Sequence, residues 1–221
     1  MTAADDPNIL PHWRSAALIT IDMQRDFLSD SPYGLAGTTE VIPAIAKLAE
    51  ACRASGRPVV HIVRLYRPGG SNADLVRRSL LASGVDLVAP GSPGSELAPG
   101  LAPPGAPDLD HEHLLAGGVQ EIGPAEYVIF KPRWGAFFQT PLQGLLERLE
   151  VDTVVFAGCN FPNCPRASLV EASERDYRVV LVPDAVSQVN AQGLEEIRRI
   201  GVQLVTAGEV VAALTAAGEG P

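Results

Sequence analysis

Short β-branched runs that alternate with stretches of helical length predict a single α/β domain with a mainly parallel six-stranded sheet and helices on both faces. Three observations carry that prediction. Each apolar run stops at polar or glycine-containing sequence, which is how buried strands end. The stretches between runs are long enough to hold the crossover helices that parallel strands need. A chain of 221 residues with 46% apolar content fits one domain with a substantial core. Neither an internal repeat nor a second domain is visible over residues 1–221.

In chain order, Ala16–Asp22 (AALITID) reads as the first strand, an apolar run that a carboxylate closes. Thr39–Ser55 reads as a helix stopped by Gly56, Val59–Arg64 (VVHIVR) as the second strand and Ser71–Ala82 as a helix. Tyr127–Lys131, Val151–Ala157, Arg178–Val182 and Val202–Thr206 supply four more strands. Helices are expected near Thr140–Leu149, Cys164–Asp176, Asn190–Ile200 and Glu209–Ala216. The first strand should lie centrally, which puts Asp22 near the switch point of a doubly wound sheet.

A Pro/Gly-rich insertion near residues 84–118 breaks this rhythm. Six prolines between Pro90 and Pro107 exclude a packed helix or central strand there. The expectation is a surface excursion that covers a site or a subunit boundary and adds nothing to the core.

Charge and composition narrow the functional classes. Seventeen basic against 26 acidic residues give a net charge of −9, the wrong sign for gripping phosphate backbones or anionic lipid. Nucleic acid and membrane surfaces are therefore not expected partners, and a small molecule is. The start MTAADDPNIL carries acids where an export signal carries bases, so a cytoplasmic protein is expected. Three cysteines (Cys52, Cys159, Cys164) form no even framework, and reduced thiols follow.

Ligands of open parallel sheets bind beyond the carboxyl ends of the strands. Asp22, Lys131 and Cys164 all fall at such ends. Cys164 precedes Pro165, a residue suited to the first helical position, and Ala167, Leu169, Val170 and Ala172 continue an amphipathic pattern. Its sulfur would sit at a helix N-terminus, where unpaired N–H groups favour thiolate. Lys131 is one of two lysines in the chain, and its ammonium at the end of an apolar strand needs a carboxylate partner, for which Asp22 is the candidate. The plainer alternatives are a small buried cysteine and a turn-capping aspartate. Cys52 and Cys159 read as buried cysteines, and His61 inside VVHIV as a hydrogen-bonded core histidine.

The blocks ALITIDMQRDF, VIFKPRWGAFFQTPL and VVFAGCNFPNCPRASLVEASERDYRVVLVPDAVS together resemble the isochorismatase-like cysteine hydrolases, which include nicotinamidases and N-carbamoylsarcosine amidases. The resemblance implies a Rossmann-like three-layer α/β/α fold and a catalytic Asp22–Lys131–Cys164 triad. It also implies a cis peptide at Asn160–Phe161, an oxyanion hole from the backbone N–H groups of Phe161 and Cys164, and a homo-oligomer. Substrate contacts are expected from Gln24, Phe27, Trp134, Phe137 and Asn160. The nucleophile block NFPNCPR departs from the small or β-branched residues usual there. RLYRPGGSNAD lacks the metal ligands that nicotinamidases carry after the second strand, so neither a metal nor another cofactor is expected. His111 and His113 read as solvated, and Arg64, Arg67, Arg77 and Arg78 as a cluster able to grip a carboxylate or to form surface salt bridges.

The implied activity is hydrolysis of a C–N bond in a small amide, carbamoyl or ureido compound through a thioester intermediate. Two alternatives remain at this level. One is isochorismatase-type vinyl ether hydrolysis, which needs no cysteine. The other is a thiol redox or binding module that pairs Cys159 with Cys164.

Overall fold

A computed structural model describes residues 6–218, so the acidic start Met1–Asp5 lies outside the described residues. Its elements run β1 (Ala16–Ile21), α1 (Thr38–Ala54), β2 (Val59–Val63), α2 (Leu75–Ala82), α3 (His111–Leu115), β3 (Val119–Gly123) and β4 (Glu126–Phe130). They continue with α4 (Leu142–Arg148), β5 (Thr153–Gly158), α5 (Cys164–Ser173), β6 (Arg178–Val186), α6 (Ala191–Arg198), β7 (Gln203–Leu204) and α7 (Ala207–Gly218). The strands form one sheet in the order β3-β4-β2-β1-β5-β6-β7. All neighbours are parallel except β3 and β4.

The sheet therefore has seven strands, one more than the six read from sequence. The additional strand is β3, an edge strand in which only Ile122 is buried, so it carries no continuous apolar run. It pairs with β4 through a hairpin whose turn includes Ala125 at φ 54°.

Side chains of β1 alternate between two cores. Ala17, Ile19 and Ile21 pack with Leu142, Leu145 and Leu146 of α4 and with Leu169 and Ala172 of α5. Ala16 and Leu18 face the other way, onto Ile45, Leu48, Ala49 and Cys52 of α1 and Val210 and Leu214 of α7. Burial on both faces is why the strand reads as a continuous apolar run. It also leaves only the carboxyl end of β1 free to present a polar group.

The Pro/Gly-rich segment differs from its expectation. It does avoid helix and strand around Pro93–Ser95, where it makes a 3-10 turn. Yet Leu97, Ala98 and Leu101 are buried, so the segment is a strap packed into the core. Its backbone is anchored by Ala98 N–H to Met23 O (2.8 Å), and Arg25 N–H donates to Glu96 O (3.0 Å). The physical reason is leucine spacing: a few apolar side chains suffice to dock an extended segment whose backbone finds partners on a neighbouring loop. His111 belongs to this strap, with Nε2 2.8 Å from Ser95 Oγ and Glu96 beside it, and His113 Nε2 lies 3.1 Å from Val119 O.

His61 is a core histidine as expected. It lies 2.7 Å from Thr20 Oγ1 and 2.8 Å from Glu126 Oε1, and Glu126 is held in turn by Arg53. No helix of the described residues is long and apolar enough to cross a membrane.

Candidate active site

The carboxyl ends of β4, β1 and β5, with β2 between the first two, bring the chemistry together at one edge. Asp22 follows β1 with φ 53°, a left-handed conformation that aspartate tolerates better than most residues, and its N–H is fixed on Ile62 O at 2.8 Å. Lys131 prolongs β4, with its N–H on Val63 O at 3.0 Å. Cys164 opens α5 after the turn that follows β5, and Pro165 occupies the first turn of that helix as anticipated. Gly158 makes the approach of β5 to β1 possible, since a Cβ there would stand 2.3 Å from Ile21 O.

Lys131 Nζ is the hub. It donates to Asp22 Oδ2 at 2.8 Å, to Cys164 Sγ at 3.2 Å and to Arg133 O at 3.3 Å, and its side chain is fully buried. Asp22 Oδ1 is also buried and has no hydrogen-bond partner among the described residues. An acceptor left open beside a sulfur is what a proton acceptor requires. Arg64 completes the ring of charge, with Nη2 3.9 Å from Cys164 Sγ and Nη1 3.3 Å from Asp74 Oδ2.

Burial pushes the Cys164 thiol above its ordinary range, and the Asp22 carboxylate pushes the same way; Lys131 and Arg64 oppose them. Desolvation of the sulfur thus works against the helix terminus and the two cations. Cys159 is pushed up too, by complete burial first, and its thiol lies 3.2 Å from Asp22 O. All three cysteines are free and buried.

The turn before Cys164 needs two further corrections. The cis peptide is Cys159–Asn160, one bond earlier than Asn160–Phe161. The Phe161 N–H donates to Ser187 O at 2.9 Å inside the fold, and its ring is fully buried, so it is unavailable as an oxyanion donor. The N–H groups of Asn160 and Cys164, by contrast, have no partner among the described residues. Phe161 fits because α6 offers a glycine: a Cβ on Gly193 would stand 2.3 Å from the ring. That explains how a bulky aromatic is accommodated in NFPNCPR.

A pocket of about 130 Å³ opens onto Asp22, Cys159, Asn160 and Cys164. Of the expected substrate contacts, Phe27, Trp134 and Asn160 line it, and Trp134 is 41% exposed. Gln24 does not. It is fully buried, donates to Arg64 O and Ser95 O, and accepts from Arg64 N–H, because the strap closes over it. Phe137 does not either, since it turns inward onto Tyr177 with ring centroids 5.7 Å apart. Sequence reasoning missed Tyr33, Leu35 and Leu87, which come from loops without periodicity. Tyr66 and Arg77 also line the pocket; Arg77 stood in the arginine cluster beyond β2. No three His, Cys, Asp or Glu side chains among the described residues converge as a metal ion requires.

Known proteins share this architecture. Residues 16–209 match the family model described as the Isochorismatase domain. A protein of Arabidopsis thaliana named "Probable inactive nicotinamidase" is 30% identical over 204 residues, covering 89% of this chain and 95% of that one. A ureidoacrylate amidohydrolase of Methylorubrum extorquens is 29% identical over 196 residues, covering 82% and 73%. Among solved structures, an isochorismatase family protein from Desulfovibrio vulgaris superposes with a TM-score of 0.77 at 34% identity, covering 91% of this chain and 99% of that one.

Proposed function

Since the chain belongs to the isochorismatase family, we propose that it is a cysteine-dependent hydrolase that cleaves the C–N bond of a small amide, carbamoyl or ureido substrate through a thioester intermediate. The observation that carries this reading is the position of Lys131 Nζ, 2.8 Å from Asp22 and 3.2 Å from Cys164. A buried ammonium that bridges a carboxylate and a thiol, beside an open carboxylate oxygen, suits proton transfer between them.

Asp22 Oδ1 accepts the proton of Cys164 as the sulfur attacks the substrate carbonyl. Lys131 balances the negative charge that passes between the two groups. The developing oxyanion meets the N–H groups of Asn160 and Cys164, which replace the Phe161 and Cys164 pair expected from sequence. Asp22 returns the proton to the departing nitrogen as the C–N bond breaks, and the amine leaves. Water, with its proton taken by Asp22, then attacks the thioester, and the sulfur leaves and regains a proton. Burial and the Asp22 carboxylate both hold the Cys164 thiol above its ordinary range, which suits proton transfer to Asp22 in step with attack.

The reading is tested by a screen of small amides and ureido acids with ammonia detection, run beside Cys164→Ala. Ammonia release that disappears in Cys164→Ala is the expected result. Turnover that survives the substitution would contradict the covalent route and favour direct attack of water on the carbonyl.

A further inference from the structure

The N–H groups of Asn160 and Cys164 belong to the turn between β5 and α5, and backbone donors serve an oxyanion only where the backbone around them is fixed. Part of that support comes from the end of β6. The register between β5 and β6 shifts there, since Phe156 lies opposite Leu181 but Gly158 lies opposite Val186. The shift brings Ser187 and Gln188 beside the turn, where Ser187 N–H donates to Gly158 O at 3.1 Å and Ser187 O accepts from Phe161 N–H at 2.9 Å. Gln188 adds its side chain. Oε1 accepts from Asn160 Nδ2 at 2.8 Å, and Nε2 donates to Ala36 O at 3.3 Å. Asn160 Oδ1 in turn accepts from Asn163 Nδ2 at 3.3 Å, and Asn163 N–H closes the turn on Asn160 O at 3.1 Å. Gln188 has φ 59°, a left-handed conformation that a glutamine keeps only where its surroundings fix it.

We propose that Gln188 is a positioning residue for the reaction: by bridging the Asn160 side chain to Ala36, it keeps the Asn160 N–H aimed at the oxyanion and ties that donor to the loop that carries Tyr33 and Leu35 into the pocket. The proposal rests on the hydrolase reading, because an oxyanion develops only when a carbonyl is attacked. Gln188 is exposed and stands outside the residues that line the pocket, so its effect on the chemistry passes through Asn160. A glutamine suits the bridge because one amide both accepts from the turn and donates to the loop. A neutral hydrogen bond of this kind is worth about fivefold in a rate that depends on it, well short of the hundredfold or so that follows loss of an oxyanion donor itself.

Two reagents that meet the same thiol separate this role from general support of the fold. p-Nitrophenyl acetate acylates the cysteine through a tetrahedral oxyanion: the sulfur bonds to the acetyl carbon, its proton passes to Asp22, and p-nitrophenolate leaves. Iodoacetamide forms a carbon–sulfur bond as the thiolate displaces iodide, and no oxyanion develops. The first rate is the p-nitrophenolate release that Cys164→Ala abolishes, and the second is alkylation of Cys164 read by peptide mass spectrometry. Their ratio cancels the thiolate fraction. Gln188→Leu is expected to lower the ratio about fivefold with alkylation unchanged. In an Asn160→Ala background the same substitution should lower it no further, since its path runs through that side chain. A ratio unchanged in Gln188→Leu, whether or not both rates fall, or an equal fall in the Asn160→Ala background, would overturn the proposal. Wild-type protein that is alkylated at Cys164 yet shows no Cys164-dependent release of p-nitrophenolate would overturn the hydrolase reading, and the proposal with it.

Discussion

The two oxygens of Asp22 have different surroundings: Oδ2 is held by Lys131, and Oδ1 faces the site without a partner. That asymmetry lets one carboxylate be both fixed in place and open to a proton. It also sets how each neighbour moves the Cys164 thiol. Asp22 raises it and Lys131 lowers it, so Asp22→Asn should shift the pH midpoint of iodoacetamide labelling down, and Lys131→Met should shift it up. Opposite shifts are the expected outcome of a labelling series from pH 6 to about 10; shifts in one direction would contradict the assignment. Both variants should lose turnover by roughly a hundredfold or more, as removal of a proton-transfer group does. At this scale the sequence was most legible, because Asp22, Lys131 and Cys164 each end or follow a recognisable apolar run. Gln24 and Phe137 were not legible: both lie beside motif residues, and only three-dimensional packing shows that one ties down Arg64 and the other faces the core.

Two elements set the position of Cys164 from behind. The turn before α5 is seated by the Phe161 ring against Gly193 of α6. A methyl group there must displace the ring, so Gly193→Ala should destabilise the protein by about 1–3 kcal/mol and lower turnover along with it. Urea denaturation beside an activity assay checks this, and an unchanged midpoint would mean that the ring has room to move. The strap works from the other side, since Gln24 joins it to Arg64. Leu101 is fully buried in it, so Leu101→Ala should cost about 2–5 kcal/mol, whereas a loose surface excursion would lose almost nothing. The strands β1, β2, β4, β5 and β6 were readable because burial on both faces leaves continuous β-branched runs. The strap and β3 were not, because isolated leucines and a half-exposed edge strand leave no periodic signal.

Across the whole molecule, the central place of β1 gathers the ends of three strands at one edge, and the two cores on either face hold that edge rigid. The same burial makes stability depend on pH in the alkaline range. Burial pushes the Cys52 thiol up to about 12, and Cys159 is raised as well. Below about pH 8.5 the thiol is protonated in both folded and unfolded chains, and its contribution is fully present. Above that value only the unfolded chain ionises, so stability falls as pH rises toward about 12. Cys52→Ala should therefore lose less stability between pH 8 and about 10 than the wild type does, as measured by denaturant midpoints; identical slopes would contradict the account. The central claim is that the fold assembles a covalent cysteine catalyst, and intact-protein mass spectrometry of the chain, acid-quenched during turnover of an amide or ureido acid, tests it most directly. The account predicts an added mass equal to the acyl or carbamoyl group, located on Cys164 and absent in Cys164→Ala. An unmodified Cys164 throughout turnover whose burst kinetics show deacylation to be rate-limiting, or an adduct on Cys159, would contradict it.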